Sequence, residues 1–176
     1  MEEHKGIVTM HGNPLTLLGH EARVGDKAPD FTVLDNDLKP MGLKDFKGKV
    51  LVISTVPSLD TPVCAIETRR FNMEAANMGD EIKVLTISMD LPFAQKRWCA
   101  AEGIDKVITL SDHRDASFGT AYGVLIKELR LLARVIFIVD TGGIVRYKQI
   151  VNEASNEPNY EAVLKALEEV TAPSTV

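Results

Sequence analysis

Three short apolar segments limit most strongly what this chain can fold into. They read KVLVISTV at 49–56, KVLTIS at 83–88 and ARVIFIV at 133–139. A half-exposed strand alternates apolar with polar residues, whereas nearly unbroken apolar runs are typical of strands that are covered on both faces. The sequence therefore predicts an α/β fold, in which a β-sheet has helices on both sides.

Helix signals fill the gaps between these strands. A first helix is predicted at 62–77, with Thr61 as its N-cap and a proline at its first position. A second helix is predicted at 92–102, with Asp90 as its cap and Gly103 at its end.

The remaining signals complete the order of the elements. They predict an N-terminal β-hairpin within 1–20, short strands at 31–34 and 107–110, a short helix at 115–122, a turn at 140–143 into a strand at 144–150, and a last helix at 159–170. This order predicts a central mixed β-sheet flanked by helices, with an added N-terminal hairpin. A thioredoxin-like fold has this order, and other α/β folds share it.

Length and charge pattern exclude several functional classes. The 176 residues suit a single domain, 1–176, with a frayed tail at 171–176. The net charge of −5 comes from interspersed charges, without the basic stripe of a nucleic-acid-binding protein. No run approaches the ~18–20 apolar residues of a membrane span, and no apolar signal core follows the acidic N-terminus. We therefore expect a cytoplasmic protein without nucleic acid or membrane partners.

The first of only two cysteines, Cys64, lies in the first turn of the predicted helix 62–77. The unpaired N–H groups and the helix dipole favour a thiolate there, and a thiolate is a nucleophile. An inert thiol fits equally well, because Cys64, Thr68, Phe71 and Ala75 follow the spacing of one buried helix face. Helix position alone leaves both interpretations open.

The residues before Cys64 favour chemistry. Pro57, Thr61 and Cys64 form the pattern P-x-x-x-T-x-x-C between a buried strand and a helix start. The proline can shape the turn and keep a pocket dry, and the threonine hydroxyl can hydrogen-bond a thiolate and the atom that it attacks. Backbone N–H groups of Val63 and Cys64 can stabilise negative charge, as in an oxyanion hole.

This pattern resembles the active-site motif of the peroxiredoxins, and further segments resemble their thiol peroxidase subfamily. Those segments are 12–14, 24–31, 58–64, 69–72, 90–95 and 98–103. The likeness covers almost the whole chain and implies a thioredoxin-like fold. It also implies that Cys64 reduces hydrogen peroxide or alkyl hydroperoxides and becomes a sulfenic acid, without a metal or an organic cofactor.

The second cysteine, Cys99, lies with Gln95 on the polar side of the predicted helix 92–102. The apolar side comprises Phe93, Ala100, Ala101 and Ile104. A cysteine on a polar face is open to another sulfur, as a resolving thiol must be. The resemblance implies that Cys99 condenses with the Cys64 sulfenic acid to an intrachain disulfide, which thioredoxin reduces. Because a disulfide needs Cα atoms within ~7 Å, the helix ends near Pro62 and Gly103 are predicted to unwind if the cysteines start further apart.

One cation, Arg134, heads the otherwise apolar strand 133–139 and needs a partner there. The residues alone leave three interpretations open: its side chain reaches solvent, it pairs with a carboxylate, or it belongs to an active site. The resemblance places it beside the Cys64 thiolate, where it polarises the peroxide, with Arg70 as a less clearly inward rival. The segment 126–132 departs from the family, whose members often have glycine and proline there.

Three other functions compete with a peroxidase. A thioredoxin-like disulfide exchanger is disfavoured because the chain lacks the C-x-x-C motif of that class. A structural or holdase-like protein with inert thiols is a second alternative, which the sequence leaves open. A metal site is disfavoured because neither the cysteines nor the four histidines show ligand spacing. The resemblance also implies a homodimer.

Overall fold

The computed structural model describes residues 1–172, which contain eleven β-strands, four α-helices and one 3-10 helix. The strands are β1 (Glu3–Met10), β2 (Asn13–Leu18), β3 (Val33–Leu34), β4 (Pro40–Met41), β5 (Val50–Thr55), β6 (Ile82–Ser88), β7 (Ile108–Ser111), β8 (Leu125–Ile126), β9 (Leu131–Leu132), β10 (Val135–Val139) and β11 (Val145–Ile150). The helices are α1 (Pro62–Ala75), α2 (Pro92–Glu102), α3 (Ser117–Tyr122) and α4 (Tyr160–Thr171), and the 3-10 helix covers Leu43–Phe46. Of the tail predicted at 171–176, residue 171 ends α4, and 173–176 lie outside the described residues.

The three apolar segments form neighbouring strands at the centre of a mixed seven-stranded sheet, ordered β11-β10-β5-β6-β7-β3-β4. Strands β5, β6 and β7 are parallel, and β10 runs antiparallel to both β5 and β11. Every residue of β5 and β10 is buried, because helices and loops cover both faces. The predicted α/β class and central mixed sheet are confirmed.

Successive residues of the central strands feed two separate apolar layers. Val52 and Ile136 pack with residues of α1 and α4 on one face. Ile53 and Phe137 pack on the other face with α3 and the N-terminal hairpin. The C-terminal end of β5, from which the chain leaves toward α1, is therefore fixed between two packed layers.

A second, four-stranded sheet, ordered β1-β2-β8-β9, packs on the apolar layer that contains Ile53 and Phe137. Its β1–β2 pair confirms the N-terminal hairpin predicted within 1–20. The β8–β9 hairpin is not predicted, because its strands have two residues each and Arg130 makes the turn at a positive φ of 53°. The unusual segment 126–132 therefore supports the N-terminal hairpin through pairing of β8 with β2.

The prediction that Asp90 caps α2 is wrong, because Leu91 occupies the N-cap position. The Asp90 carboxylate instead accepts hydrogen bonds from the Ser58 hydroxyl (2.7 Å), the Leu59 N–H (2.8 Å) and the Ser88 hydroxyl (2.7 Å). It ties the loop before α1 to the loop before α2. Within residues 1–172, no helix is long and apolar enough to cross a membrane.

Candidate active site

Cys64 lies in the first turn of α1, just after the loop that follows β5. Its side chain is fully buried and forms a small cluster with Val56 and Leu59. The partly buried Trp98 of α2 packs against this Cys64 cluster. Thr61 occupies the N-cap position, as predicted, but its side chain makes no cap hydrogen bond. The N–H groups of the first turn therefore remain available to an anion.

Arg134 lies immediately before β10, the strand next to β5, and its side chain reaches the Cys64 thiol. Its Nη1 lies 3.3 Å from Cys64 Sγ and donates to Glu67 Oε2 at 2.6 Å. Its Nε and Nη2 donate to the carbonyl oxygen of Ala154 at 3.2 and 2.8 Å. All three guanidinium nitrogens are thus held in a side chain that is only 2% exposed.

Glu67 is a site residue that sequence reasoning missed. It lies one helical turn after Cys64, is fully buried, and also accepts from the Ser54 hydroxyl at 2.9 Å. Burial raises the pKa of Glu67, against the opposing charge of Arg134. Burial likewise works against the charge of Arg134, but Glu67 and Cys64 outweigh it and raise the pKa of Arg134. The signal was available, since an arginine in an apolar strand requires a buried anion.

A cavity of about 340 Å³ opens beside the guanidinium. It is lined by Met10, His11, Pro57, Thr61, Pro62, Val63, Arg134, Ala154 and Ser155. Pro57 is buried, whereas Thr61 is exposed and its hydroxyl donates to the Ser58 carbonyl at 2.9 Å. Pro57, Thr61 and Arg134 therefore meet at one cavity, next to Cys64.

The rival cation Arg70 lies elsewhere. Its Nε pairs with Glu74 at 3.0 Å on the partly exposed side of α1, and its guanidinium carbon lies 4.7 Å from the centre of the Tyr160 ring. Arg70 therefore stabilises the contact between α1 and α4 and does not reach the thiol.

The predicted orientation of α2 is wrong. The buried side of this helix carries Pro92, Gln95 and Cys99, whereas Phe93 is 66% exposed. Gln95 can turn inward because its amide nitrogen donates to Ser88 Oγ and to the Leu110 carbonyl. These two hydrogen bonds satisfy the amide nitrogen and offset part of the cost of burying the side chain. The Gln95 Oε1 is buried without a hydrogen-bond partner among the described residues.

Cys99 is consequently buried, with 9% of its surface exposed, and it lines a pocket of the surface. Its Sγ lies 3.4 Å from Thr109 Oγ1, whose hydroxyl in turn donates to Asn36 Oδ1 at 3.0 Å. Burial raises the pKa of the Cys99 thiol. Cys64 and Cys99 are both free thiols with different neighbours, so a bond between them requires local rearrangement. Across residues 1–172, no group of three or more His, Cys, Asp or Glu side chains is placed to hold a metal ion.

Comparisons with known proteins agree with the motifs. The sequence model of the Redoxin family matches residues 23–164. The thiol peroxidase of Oceanobacillus iheyensis is 62% identical over 160 residues, which are 91% of this chain and 97% of that protein. That of Bacillus subtilis is 62% identical over 159 residues, or 90% and 95%.

Solved structures share the fold. A peroxiredoxin-like protein from Aquifex aeolicus superposes with a TM-score of 0.87 at 45% identity, covering 95% of this chain and 99% of that one. The thiol peroxidase from Chromobacterium violaceum gives 0.82 at 23% identity, covering 92% and 95%, which shows the common fold. The chain therefore belongs to the Redoxin family and, within it, to the thiol peroxidases that its motifs resemble.

Proposed function

We propose that this thiol-dependent peroxidase acts through Cys64 and is recycled through a Cys64–Cys99 disulfide. The observation that carries the proposal is the buried guanidinium of Arg134, whose Nη1 lies 3.3 Å from Cys64 Sγ at the start of α1. A fixed cation and a helix N-terminus both stabilise a sulfur anion. The thiolate attacks the terminal oxygen of a hydroperoxide, the O–O bond breaks, and the leaving oxygen takes a proton to become water or an alcohol. Cys64 is left as a sulfenic acid.

Two side chains handle the charge that develops in this step. Arg134 faces both the sulfur and the cavity, so it can stabilise the thiolate and then the departing oxygen. The proton of the Thr61 hydroxyl is engaged by the Ser58 carbonyl, so its oxygen can accept a hydrogen bond from the peroxide O–H. Glu67 fixes the guanidinium and balances its charge.

The cavity supports a substrate range that includes organic hydroperoxides. Met10, Pro57, Pro62 and Val63 give it an apolar wall, and about 340 Å³ leaves room for an alkyl group. The buried Pro57 shields the reacting atoms from bulk water. We therefore propose both hydrogen peroxide and alkyl hydroperoxides as substrates.

The second half of the cycle uses Cys99. Its thiol condenses with the Cys64 sulfenic acid, releasing water and forming an intrachain disulfide, and thioredoxin reduces that disulfide by dithiol exchange. Because both cysteines are buried among different residues, the start of α1 and the end of α2 at Gly103 must unwind first. The resemblance further supports a homodimer in the cytoplasm, with 1–176 acting as a single domain and without nucleic acid or membrane partners.

The test is a disulfide map of the peroxide-treated protein. The mass of non-reduced proteolytic peptides should reveal a Cys64–Cys99 link within one chain, and Cys64→Ser should abolish peroxide consumption. Activity retained in Cys64→Ser would contradict the proposed nucleophile. A disulfide between two chains would contradict the proposed route of recycling.

A further inference from the structure

The guanidinium of Arg134 depends on one backbone carbonyl outside the active-site motif. Two of its three nitrogens donate to Ala154 O, at 3.2 and 2.8 Å. Ala154 lies in the loop 151–159, between β11 and α4, where no regular ladder fixes the backbone. The direction in which Nη1 meets Cys64 therefore depends on whatever holds this loop.

The tip of the N-terminal hairpin holds it. Backbone hydrogen bonds run from Thr9 N to Asn152 O (2.7 Å) and from Ala154 N to Thr9 O (2.8 Å). Thr9 and Glu153 thus form an isolated parallel bridge. These bonds connect a turn near the start of the chain to the carbonyl that orients Arg134.

The Glu153 side chain also connects the hairpin tip to the loop 151–159, through four hydrogen bonds. Its Oε1 accepts from Thr9 Oγ1 at 3.0 Å and from Gly12 N at 2.9 Å. Its Oε2 accepts from Ser155 N at 2.8 Å and from Ser155 Oγ at 2.6 Å. Four donors on one carboxylate, those of Ser155 foremost, lower the pKa of Glu153 to about 2. The carboxylate is therefore charged at neutral pH.

We propose that Glu153 is a positioning residue for the peroxidase reaction. Its carboxylate hydrogen-bonds both the hairpin tip and the loop 151–159, whose Ala154 carbonyl orients Arg134 toward Cys64. This inference rests on the proposed function, since it assigns a role through Arg134. The hydrogen bonds of Glu153 also shape the substrate cavity, because the hairpin contributes Met10 and His11 to its wall and the loop contributes Ala154 and Ser155. Glu153 does not line the cavity and acts through these neighbours.

Glu153→Gln is the sharpest change because it keeps the shape of the side chain. Only one oxygen remains, so the amide cannot accept from all four donors, and its NH₂ group opposes the N–H of Ser155. A shift of the Ala154 carbonyl by a fraction of an ångström should lower the peroxide rate constant by about tenfold or more, as a small misplacement of a reacting group does. Thr9→Val removes one of the two hairpin donors and leaves Gly12 N and Glu153 in place, so it should cause a smaller loss in the same direction.

The rate constant is measured by stopped-flow fluorescence on reduced protein carrying Cys99→Ser, which isolates the first step. Trp98 is the only tryptophan and packs against the Cys64 cluster, so its emission reports oxidation of that sulfur. The matched control is Glu169→Gln, which removes an exposed carboxylate for which residues 1–172 offer no hydrogen bond or ion pair. A rate constant, unlike an amplitude, does not depend on the fraction of folded chains.

A second readout separates positioning from folding. The rate of Cys64 alkylation by iodoacetamide is followed against pH in the same proteins, because displacing the guanidinium from Sγ changes this profile and a merely structural role does not. We expect Glu153→Gln to slow the reaction and move the profile. A rate constant within twofold of the Glu169→Gln control, or an unmoved profile, would overturn the inference. Failure of the proposed function is distinct, since it requires that Cys64→Ser still consume peroxide.

Discussion

Replacing Glu67 by glutamine removes the charge that balances Arg134 while keeping a similar shape. Both side chains are at most 2% exposed, and the ion pair measures 2.6 Å. Breaking a buried pair by removing one partner costs about 3–5 kcal/mol, because the remaining charge is left without water. Glutamine retains an acceptor oxygen for Arg134, so we expect a loss of free energy of unfolding near the lower end, about 3 kcal/mol.

The same helix offers a matched control in Glu74→Gln. Glu74 pairs with Arg70 at 3.0 Å, but these side chains are 28% and 40% exposed. Exposed pairs four residues apart on a helix contribute only about 0.3–0.5 kcal/mol. Urea unfolding of the reduced proteins at neutral pH, with the slope held common, gives both losses. Equal losses for the two variants, each below about 1 kcal/mol, would refute the argument that Glu67 compensates a buried cation.

Three further results are expected. Thr61→Val should slow sulfenic acid formation by about tenfold or more, measured by stopped flow, with little loss of stability because the Thr61 side chain caps no N–H; an unchanged rate would remove Thr61 from the site. Cys99→Ser should still form one sulfenic acid per chain but stop thioredoxin-linked turnover in a coupled NADPH assay, and normal cycling would reject the resolving role. Burial raises the pKa of Asp112 to about 6, so its contribution to stability is complete below about pH 4 and is lost as pH rises through 6. Asp112→Asn should therefore remove a fall on the order of 3 kcal/mol between pH 4 and pH 7 in urea unfolding, and an unchanged pH profile would contradict this.

The apolar runs predict the central sheet because buried parallel strands carry their signal locally. Strands β5 and β10 lie within their runs, β6 begins one residue before its run, and α1 begins at the predicted proline. The hairpin of β8 and β9 carries no such signal, because strands of two residues are too short for a periodic pattern and depend on pairing with a neighbouring strand. Pairing of Leu17 with Ile126 is a tertiary contact that no local pattern encodes.

The site shows the same division. The motif brings Pro57, Thr61 and Cys64 together, because one turn between strand and helix contains all three. The contact between Arg134 and Cys64 joins residues far apart in the chain, and the resemblance anticipates it where spacing alone does not. The prediction for the side of α2 that carries Cys99 is wrong, because Gln95 donates hydrogen bonds to Ser88 and Leu110 that no local pattern encodes, and these allow a polar face to turn inward.

The proposed mechanism requires that peroxide oxidises the sulfur of Cys64. The most direct measurement is peptide mass mapping of the reduced Cys99→Ser protein after one equivalent of hydrogen peroxide, with a dimedone trap for sulfenic acid. We expect the trap on the peptide that contains Cys64, and no trap on any peptide of Cys64→Ser. An unlabelled Cys64 peptide, with peroxide consumed at the same rate, would contradict it.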